Sequence, residues 1–302
     1  MCSNTKKNSV SFFQIISNNN CIMTTNIEVG RLLNYKRQTE DERDIKYPTI
    51  LHKDINTIRV FSLEKTRIRI YDQGKIGSCV SNAVAGCINY YNNTVNPSRL
   101  YIYFNGRAMN KDIKNDTGLQ VRDGCKSVFN YSVCNENDWI YEGSGYHFQI
   151  MPPLKCYITS FKFNNFIYYS IPQDLALLKT CLLSNNPIIF GFIVYTSFMS
   201  IDVEQTGRVP MPTETDYIAG ENIEHRVSGG HCSLIVGYND DEQVFICVNS
   251  WGEIWGDKGY FYIPYQYILD PLLAFDFTVI NFNSPIQLTS TKVKSNLKMQ
   301  FI

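Results

Sequence analysis

The sequence predicts an α+β fold in which a helical half of the chain precedes a half made of antiparallel strands. Helical periodicity of apolar residues dominates from residue 78 to residue 131, and short apolar runs bounded by Gly, Asn and Asp dominate from residue 187 to residue 280. The 302 residues are 44% hydrophobic and 19% charged, which is a globular composition. Such an arrangement predicts a cleft where the two halves meet.

The helical half contains most of the predicted helices. Val121, Cys125, Val128 and Phe129 recur at the spacing of one helix face. Two further segments open at a proline, which suits the first turn of a helix because that turn has no use for the missing N–H. The predicted helices are 78–91, 97–108, 119–131 and 173–184.

The second half reads as short, mostly apolar strands separated by turn residues. Asn239, Asp240 and Asp241 stand between two of these segments and predict a hairpin turn. The predicted strands are 187–194, 233–238, 243–249, 259–263 and 275–280.

The chain divides into an extension, a packed domain and a tail. Residues 1–46 are predicted to be an N-terminal extension or a short prosegment, and the mixed-charge run at 36–46 reads as a solvated linker or an exposed helix. The domain covers residues 47–283, with a helical lobe at about 70–160 and a β lobe at about 161–283. Residues 284–302 are polar and predict a loose C-terminal tail.

Charge and hydrophobicity exclude several classes of function. Lys+Arg and Asp+Glu both number 28, so the basic excess of a nucleic-acid binder is missing and we expect no nucleic-acid partner. No run of eighteen apolar residues occurs, which argues against a membrane-spanning helix. The stretch at 10–16 is too short and too polar for a typical signal peptide.

The ten cysteines are predicted to be small buried hydrophobes rather than a disulfide scaffold, because the chain is long and several of them lie in apolar stretches. No CxxC pair occurs, so a zinc ribbon is not expected. This usage favours an intracellular reducing compartment or a virion over secretion.

Cys79 is the first candidate for chemistry. It follows the polar loop Asp72–Ser78, which contains two glycines, and it opens a predicted helix. A thiol at a helix N-terminus is stabilised as the thiolate by the macrodipole and by nearby N–H groups, and the thiolate is the nucleophile. The alternative is a glycine turn before an ordinary helix with a buried thiol.

His231 and Asn249 are candidate partners of this thiol. His231 begins an apolar strand after two glycines, and Asn249 ends the next strand of the predicted hairpin. An Asn carbonyl can orient an imidazole without adding charge, and Trp251 would shield that contact from water. The alternatives are a structural histidine, a plain turn and a core aromatic.

Three blocks of sequence resemble the papain (C1-type) family of cysteine peptidases. They are DQGKIGSC at 72–79, GGHCSLIVGY at 229–238 and VNSWGEIWGDKGYFYI at 248–263. The resemblance implies that Cys79 is the nucleophile, His231 the base and acid, Asn249 the residue that orients the imidazole, and Gln73 a donor to the oxyanion. It also implies a two-lobed α+β fold, with a helical left lobe, an antiparallel β-barrel-like right lobe and the active site in the cleft between them.

Departures from the family pattern mark a divergent branch similar to members in bacteria and large DNA viruses. The family's disulfide cysteine is replaced by Ile76, an aromatic after the nucleophile is replaced by Val80, and Asp116–Gly124 stands where a groove-lining Cys-Asn-Gly-Gly stretch is usual. The resemblance implies a thioester acyl-enzyme, polypeptide substrates, no cofactor and no metal. We expect a monomer without membrane attachment.

Two other functions remain open from the sequence. A catalytically inactive homologue would act as a binding or structural module, and loss of Cys79, His231 or Asn249 would have indicated it; all three are present. Another Cys–His enzyme, an amidase or an acyltransferase, would share the oxyanion chemistry and differ only in its substrate contacts.

Overall fold

A computed structural model of the chain describes residues 31–161, 166–219 and 229–282. Its three longest helices lie in the first half and most of its strands lie in the second, as the sequence predicts. The α-helices are α1 Cys79–Tyr91, α2 Arg99–Met109, α3 Val121–Tyr131, α4 Leu154–Ile158, α5 Leu175–Leu183, α6 Ile201–Thr206 and α7 Tyr265–Leu269. The strands are β1 Val60–Ser62, β2 Phe166–Ser170, β3 Ile188–Ile193, β4 Gly230–Asn239, β5 Val244–Val248, β6 Tyr260–Pro264 and β7 Ala274–Phe282.

The strands form one antiparallel sheet with the order β2-β7-β3-β4-β5-β6, and β1 pairs with β4 off this path. Strand β4 is therefore central, and it pairs Phe192 of β3 with His231. The predicted turn between β4 and β5 is confirmed, since Asn239 Oδ1 accepts the N–H of Asp241 at 2.9 Å. A polar side chain that closes its own turn in this way is typical of Asn.

Helix α1 is the centre of the helical lobe. Residues 79–90 are all buried, because α2 and α3 contact α1 from one side and β4 contacts it from another. A helix enclosed on several sides must be apolar or small all round, and the many Ala, Val, Cys and Gly of α1 meet that demand. This contact places the first residue of α1 beside the first residues of β4.

The predicted helices are confirmed with small shifts at their starts. Ser98 is the N-cap of α2, where its Oγ accepts the N–H of Tyr101. Asp174 caps α5 by accepting the N–H of Leu177 at 2.9 Å, which moves the start of that helix two residues past Gln173. Side-chain caps satisfy N–H groups that lack a partner within the helix.

The charged run at 36–46 forms no helix, contrary to one of the two predicted alternatives. It lies extended across the domain, with a turn at 42–44 and a parallel bridge from Lys46 to Ser170. Asp44 pairs with Arg122 of α3, and both side chains are largely shielded from solvent. The run therefore contacts both lobes instead of projecting into solvent.

Eight cysteines lie in the described ranges, and all eight are free and buried, as expected for small hydrophobes. The predictions for the first 25 residues and for the tail at 284–302 lie outside the described residues, as do Cys2 and Cys21. Within the described ranges no helix combines the length and apolar character needed to cross a bilayer.

Candidate active site

Cys79 is the first residue of α1 and is fully buried. The N–H of Cys232, the residue after His231, donates to its sulfur, which places the thiol at the start of β4. Burial raises the pKa of the Cys79 thiol to about 12, and N–H groups of Cys232 and Val80 partly oppose that shift because they stabilise the thiolate. The thiol is therefore protonated in this structure.

Asn249 is the hydrogen-bond partner of His231. Its Nε2 lies 2.8 Å from Asn249 Oδ1, and the same oxygen accepts the backbone N–H of Ser250 at 2.8 Å. A backbone N–H can only donate, so the shared atom must be the amide oxygen and Nε2 must carry a proton. Nδ1 is then the nitrogen with the free lone pair, and among the described residues it has no hydrogen-bond partner.

Aromatic rings enclose the imidazole. The ring centroid of Trp251 lies 5.0 Å from that of His231, and Phe192 meets it edge-on at 5.5 Å. Burial lowers the pKa of His231 to about 4, the contact with Asn249 opposes the shift, and the positive charge of Arg31 adds to it. The imidazole is therefore neutral around pH 7.

Gln73 lies in the loop before α1 and is fully buried. Its Nε2 donates to the carbonyl of Ile76 at 3.0 Å, and its Oε1 accepts from Ser250 Oγ at 2.7 Å. The two contacts fix the amide orientation and leave the second N–H of Nε2 uncommitted among the described residues. The backbone carbonyl of Ser250 accepts the backbone N–H of Gln73, which joins this loop to the residue after Asn249.

The four residues predicted from sequence thus converge. Asn249 binds His231, Gln73 is joined to Asn249 through Ser250, and the sulfur of Cys79 reaches the backbone beside His231. Of the remaining histidines, His52 lies beside Asp54 at 3.9 Å, His147 lies beside Glu142 at 3.1 Å, and His225 lies outside the described residues. No group of three or more His, Cys, Asp or Glu in the described ranges is arranged to hold a metal ion.

The segment at 33–36 covers this site, a contact that the sequence did not reveal. The N–H of Tyr35 donates to the carbonyl of Gly230 at 3.2 Å, and the N–H of Lys36 donates to the carbonyl of Leu119 at 3.3 Å. Gly230 begins β4 and Leu119 precedes α3, so one extended stretch is bound to both sides of the cleft. The segment thus lies over the start of β4, where His231 and Cys79 are buried.

Arg31 contacts the rim of the site. It forms an ion pair with Asp72 and donates to the carbonyl of Trp251 at 3.2 Å. Its guanidinium also lies over the Trp251 ring, 5.9 Å from the centroid. The charge lies close enough to the imidazole to disfavour its protonation.

Asp116 is a second residue whose role sequence reasoning missed, although the stretch 116–124 stood out as a departure from the family. Both carboxylate oxygens accept the N–H of Gly77, at 3.0 and 3.1 Å, and the hydroxyl of Tyr103 donates to one of them. This contact joins the loop before Cys79 to the helical lobe. The loop in which Ile76 replaces the family's disulfide cysteine is thus held by the hydrogen bonds between Gly77 and Asp116.

The chain is similar in sequence to known proteins. Residues 65–268 match a family described as "Peptidase_C39 like family". An uncharacterized peptidase C1-like protein of Acanthamoeba polyphaga mimivirus is 36% identical over an alignment 283 residues long, which covers 83% of this chain and 87% of the relative.

Solved structures show the same fold. The crystal structure of xylellain, a cysteine protease from Xylella fastidiosa, is 32% identical with a TM-score of 0.71, over 83% of this chain and 95% of that one. Procathepsin L2 from the larval midgut of Tenebrio molitor is 17% identical with a TM-score of 0.61, over 83% and 78% of the two chains.

The helical lobe, the antiparallel sheet and the order of the blocks define the papain-like class of cysteine peptidases. The chain belongs to the papain-like C1 family of cysteine peptidases. The relatives in a bacterium and a large DNA virus agree with the divergent branch that the departures indicated.

Proposed function

We propose that this chain is a cysteine-type peptidase that hydrolyses peptide bonds through a thioester on Cys79. The observation that carries the proposal is the tautomer of His231, which Asn249 fixes so that the lone pair is on Nδ1. A base with its lone pair free, near a thiol at a helix N-terminus, is the arrangement that nucleophilic catalysis requires. The presence of the complete set also argues against an inactive binding module.

The first half of the reaction forms the acyl-enzyme. His231 Nδ1 takes the proton of Cys79, and the sulfur attacks the peptide carbonyl carbon. The carbonyl oxygen becomes an oxyanion, which accepts from Gln73 Nε2 and from the backbone N–H of Cys79, a helix-terminal donor without a partner in the preceding turn. The C–N bond then breaks as the imidazolium gives its proton to the leaving amine.

The second half releases the product. Water gives a proton to His231 Nδ1 and adds to the thioester carbonyl, and the oxyanion forms again between the same two donors. The C–S bond breaks, the carboxyl product leaves and the imidazolium returns its proton to the sulfur. Loss of one oxyanion donor costs about 2.7–4 kcal/mol in comparable enzymes, so Gln73→Ala should lower kcat about 10²- to 10³-fold.

We further propose that residues 1–46 are a prosegment that keeps the enzyme inactive. Support comes from the contacts of Tyr35 and Lys36 on both sides of the cleft and from the neutral thiol and imidazole beneath them. In this covered form the thiol–imidazole ion pair is disfavoured by burial. Removal of the cover would hydrate both groups and allow the pair to form.

A cut in the full chain tests both proposals. Ile50 is 82% exposed, so a recognition site for a sequence-specific protease inserted after it allows the folded protein to be cleaved there. Before cleavage, an epoxysuccinyl inhibitor should label the protein slowly. After cleavage and removal of the N-terminal piece, labelling of one thiol and hydrolysis of a peptide mixture should both appear.

Matched variants identify the thiol. Cys79→Ala should abolish labelling and hydrolysis, whereas Cys87→Ala should change neither, because Cys87 is a buried thiol on the same helix whose sulfur faces the carbonyl of Pro187. Equal labelling of all thiols in the cleaved protein would support an inactive module. Labelling of Cys79 without peptide hydrolysis would support an amidase or acyltransferase.

A further inference from the structure

Two cysteine side chains of the helical lobe contact each other outside the candidate active site. Cys134 follows α3, Cys156 lies in α4, and both are fully buried and free in this structure. The thiol of Cys134 is hydrogen-bonded to the sulfur of Cys156. A disulfide forms only between cysteines whose side chains already approach each other, and this pair meets that condition.

The backbone around Cys134 is fixed by neighbouring parts of the chain. The N–H of Phe161 donates to the carbonyl of Val133 at 2.7 Å, and the N–H of Ser98 donates to the carbonyl of Cys134 at 2.9 Å. Phe161 lies just beyond the end of α4. The chain therefore returns past Cys134 directly after α4, which keeps this helix close to it.

Asp138 holds helix α4 in place. Lys155 pairs with the Asp138 carboxylate at 2.5 Å, and the Cys156 thiol donates to the Asp138 carbonyl at 3.6 Å. The next residue of the helix, Tyr157, donates its hydroxyl to Asn105 of α2 at 3.0 Å. These contacts keep the sulfur of Cys156 beside its thiol partner in the folded protein.

The two thiols differ in how readily they ionise. Burial raises the pKa of Cys134, and its hydrogen bond to Cys156 raises it further. Burial also raises the pKa of Cys156, and the Asp138 carboxylate adds to that shift, but the hydrogen bond from Cys134 and the positive charge of Lys155 oppose it. Cys156 is therefore the first of the two to become a thiolate, which is the attacking form in thiol–disulfide exchange.

Cys156 lies in a short helix at the protein surface. Helix α4 has five residues, and its Leu154 and Ile158 are 61% and 50% exposed. A helix this short has few internal hydrogen bonds, so it opens locally at a low cost in free energy. Such opening admits a small disulfide to Cys156 without unfolding of the domain.

We propose that Cys134 and Cys156 are a redox-sensitive pair that closes to a disulfide by exchange with glutathione disulfide. The Cys156 thiolate attacks one sulfur of glutathione disulfide, so that a Cys156–glutathione disulfide forms and one glutathione thiolate leaves. The Cys134 thiolate then attacks the Cys156 sulfur, and the second glutathione thiolate leaves. The two leaving thiolates take up the protons that the two cysteines released. Two cysteine thiols are thereby oxidised, and one glutathione disulfide is reduced to two glutathiones.

The closed pair joins α4 covalently to the segment after α3. The loop that it encloses contains Tyr141, whose hydroxyl donates to the carbonyl of Gln73 at 2.8 Å. A disulfide stabilises a fold chiefly because it restricts the unfolded chain. The pair is separate from the family's disulfide, whose cysteine is replaced here by Ile76. The inference does not depend on the proposed peptidase activity.

Mapping of cross-links in the full chain tests the proposal. The folded protein is equilibrated with glutathione disulfide, free thiols are alkylated in denaturant, and the protein is digested without reductant. Mass spectrometry should find one cross-linked pair of peptides, joined through Cys134 and Cys156, and reduced glutathione should reverse it. Absence of this cross-link in the folded protein overturns the proposal. So does a cross-link that forms only when the protein is oxidised in urea.

Matched variants test the order of the two steps. Cys134→Ser removes the second thiol, so glutathione should remain attached to Cys156. Cys156→Ser removes the attacking thiol, so Cys134 should stay free of glutathione. Cys247→Ala is the control, because Cys247 is buried on β5 in the other lobe, and the cross-link should form there as in the parent. Glutathione on Cys134 but not on Cys156 in these two variants overturns the order of attack.

Thermal unfolding tests the effect of the bond. The Tm of the oxidised parent should exceed that of the reduced parent by about 5 °C or more. The Tm of Cys134→Ser should be the same in reduced and oxidised glutathione, because no loop is closed in this variant. Equal Tm values of the parent with and without a demonstrated cross-link overturn the stabilising role of the pair.

Discussion

Gly86 of α1 lies against Leu234 of β4, where a Cβ on the glycine would approach Leu234 Cδ1 to 2.9 Å. This close approach brings the helix that begins with Cys79 against the strand that begins with Gly230 and His231. The distance between the candidate nucleophile and base therefore depends on a residue seven positions into the helix. The packing of Gly86 against Leu234 in the core therefore helps to set the relative positions of Cys79 and His231.

Gly86→Val should force α1 away from β4, because the added methyl groups have no room beside Leu234. Overpacking of this kind costs about 1–3 kcal/mol, measurable by urea unfolding. The double variant with Leu234→Ala should be more stable than the sum of the two single effects predicts. Simple additivity would show that the two residues do not share this space.

Asn249→Ala should lower kcat about tenfold to a hundredfold. The Nε2–H of His231 would lose its acceptor, which matters most when the ring is charged, and hydrogen bonds to charged groups contribute about 1.5–3 kcal/mol. Steady-state kinetics of the cleaved enzyme measures the loss. Asn239→Ala, in the turn at the other end of β4, is the control. Unchanged kcat in Asn249→Ala would remove Asn249 from the mechanism.

Tyr35→Ala should loosen the covering segment in the uncut protein. The variant removes the stacking on Phe275 and the hydrogen bond to Asp276, so inhibitor labelling of Cys79 should accelerate about tenfold or more. Arg43 lies on the same segment, and its exposed side chain pairs with the nearby Asp41, so Arg43→Ala should have no such effect. Equal rates in both variants would argue that Tyr35 does not hold the cover.

Acid should also favour release of the cover. Cys79→Ala isolates the titration of His231, because without the thiol no thiolate–imidazolium pair forms when the cover leaves. The pKa of His231 is lowered from 6.5 to about 4 in the covered form, so between these values the uncovered form of this variant binds more protons. The equilibrium constant for covering is therefore constant above pH 6.5 and falls below it, by up to tenfold per pH unit. Binding of a peptide with the sequence of residues 31–46 to the cut variant, measured between pH 4 and 6.5, should weaken accordingly.

High pH should also destabilise the covered form, through ionisation of the Cys79 thiol. The pKa of Cys79 is raised from 9.0 to about 12 under the cover, so the covered form binds more protons above pH 9 and loses stability there as pH rises. Iodoacetamide labelling of the uncut protein should therefore be slow at pH 7 and increase steeply above pH 9. A flat profile would contradict the burial of this thiol.

The sequence predicts local elements well and long-range contacts of the extension poorly. Periodicity and prolines at helix starts located α1, α2, α3 and α5, and turn residues located the β4–β5 hairpin. Strands β1 and β2 were missed because they lie at the sides of the sheet, and β1 is only three residues long. Short edge strands are defined by their partners more than by their own composition.

The candidate site shows the same division. Cys79, His231, Asn249 and Gln73 could be proposed from the sequence because each belongs to a distinctive block. Tyr35 and Asp276 are separated by more than 200 residues and carry no local pattern, so their contact required the fold. The bond from Asp116 to Gly77 likewise depends on where two loops meet.

The extended segment at 33–36 is bound to Gly230 on one lobe and to Leu119 on the other, so it also connects the two lobes across the cleft. Both hydrogen bonds use main-chain groups of the segment. When the segment leaves, the carbonyls of Gly230 and Leu119 become free to accept N–H groups from any other extended polypeptide. After departure, the contact between α1 and β4 and the hydrogen bonds between Gln73 and Ser250 still join the two lobes. The segment that closes the cleft therefore also limits how far the two lobes can separate.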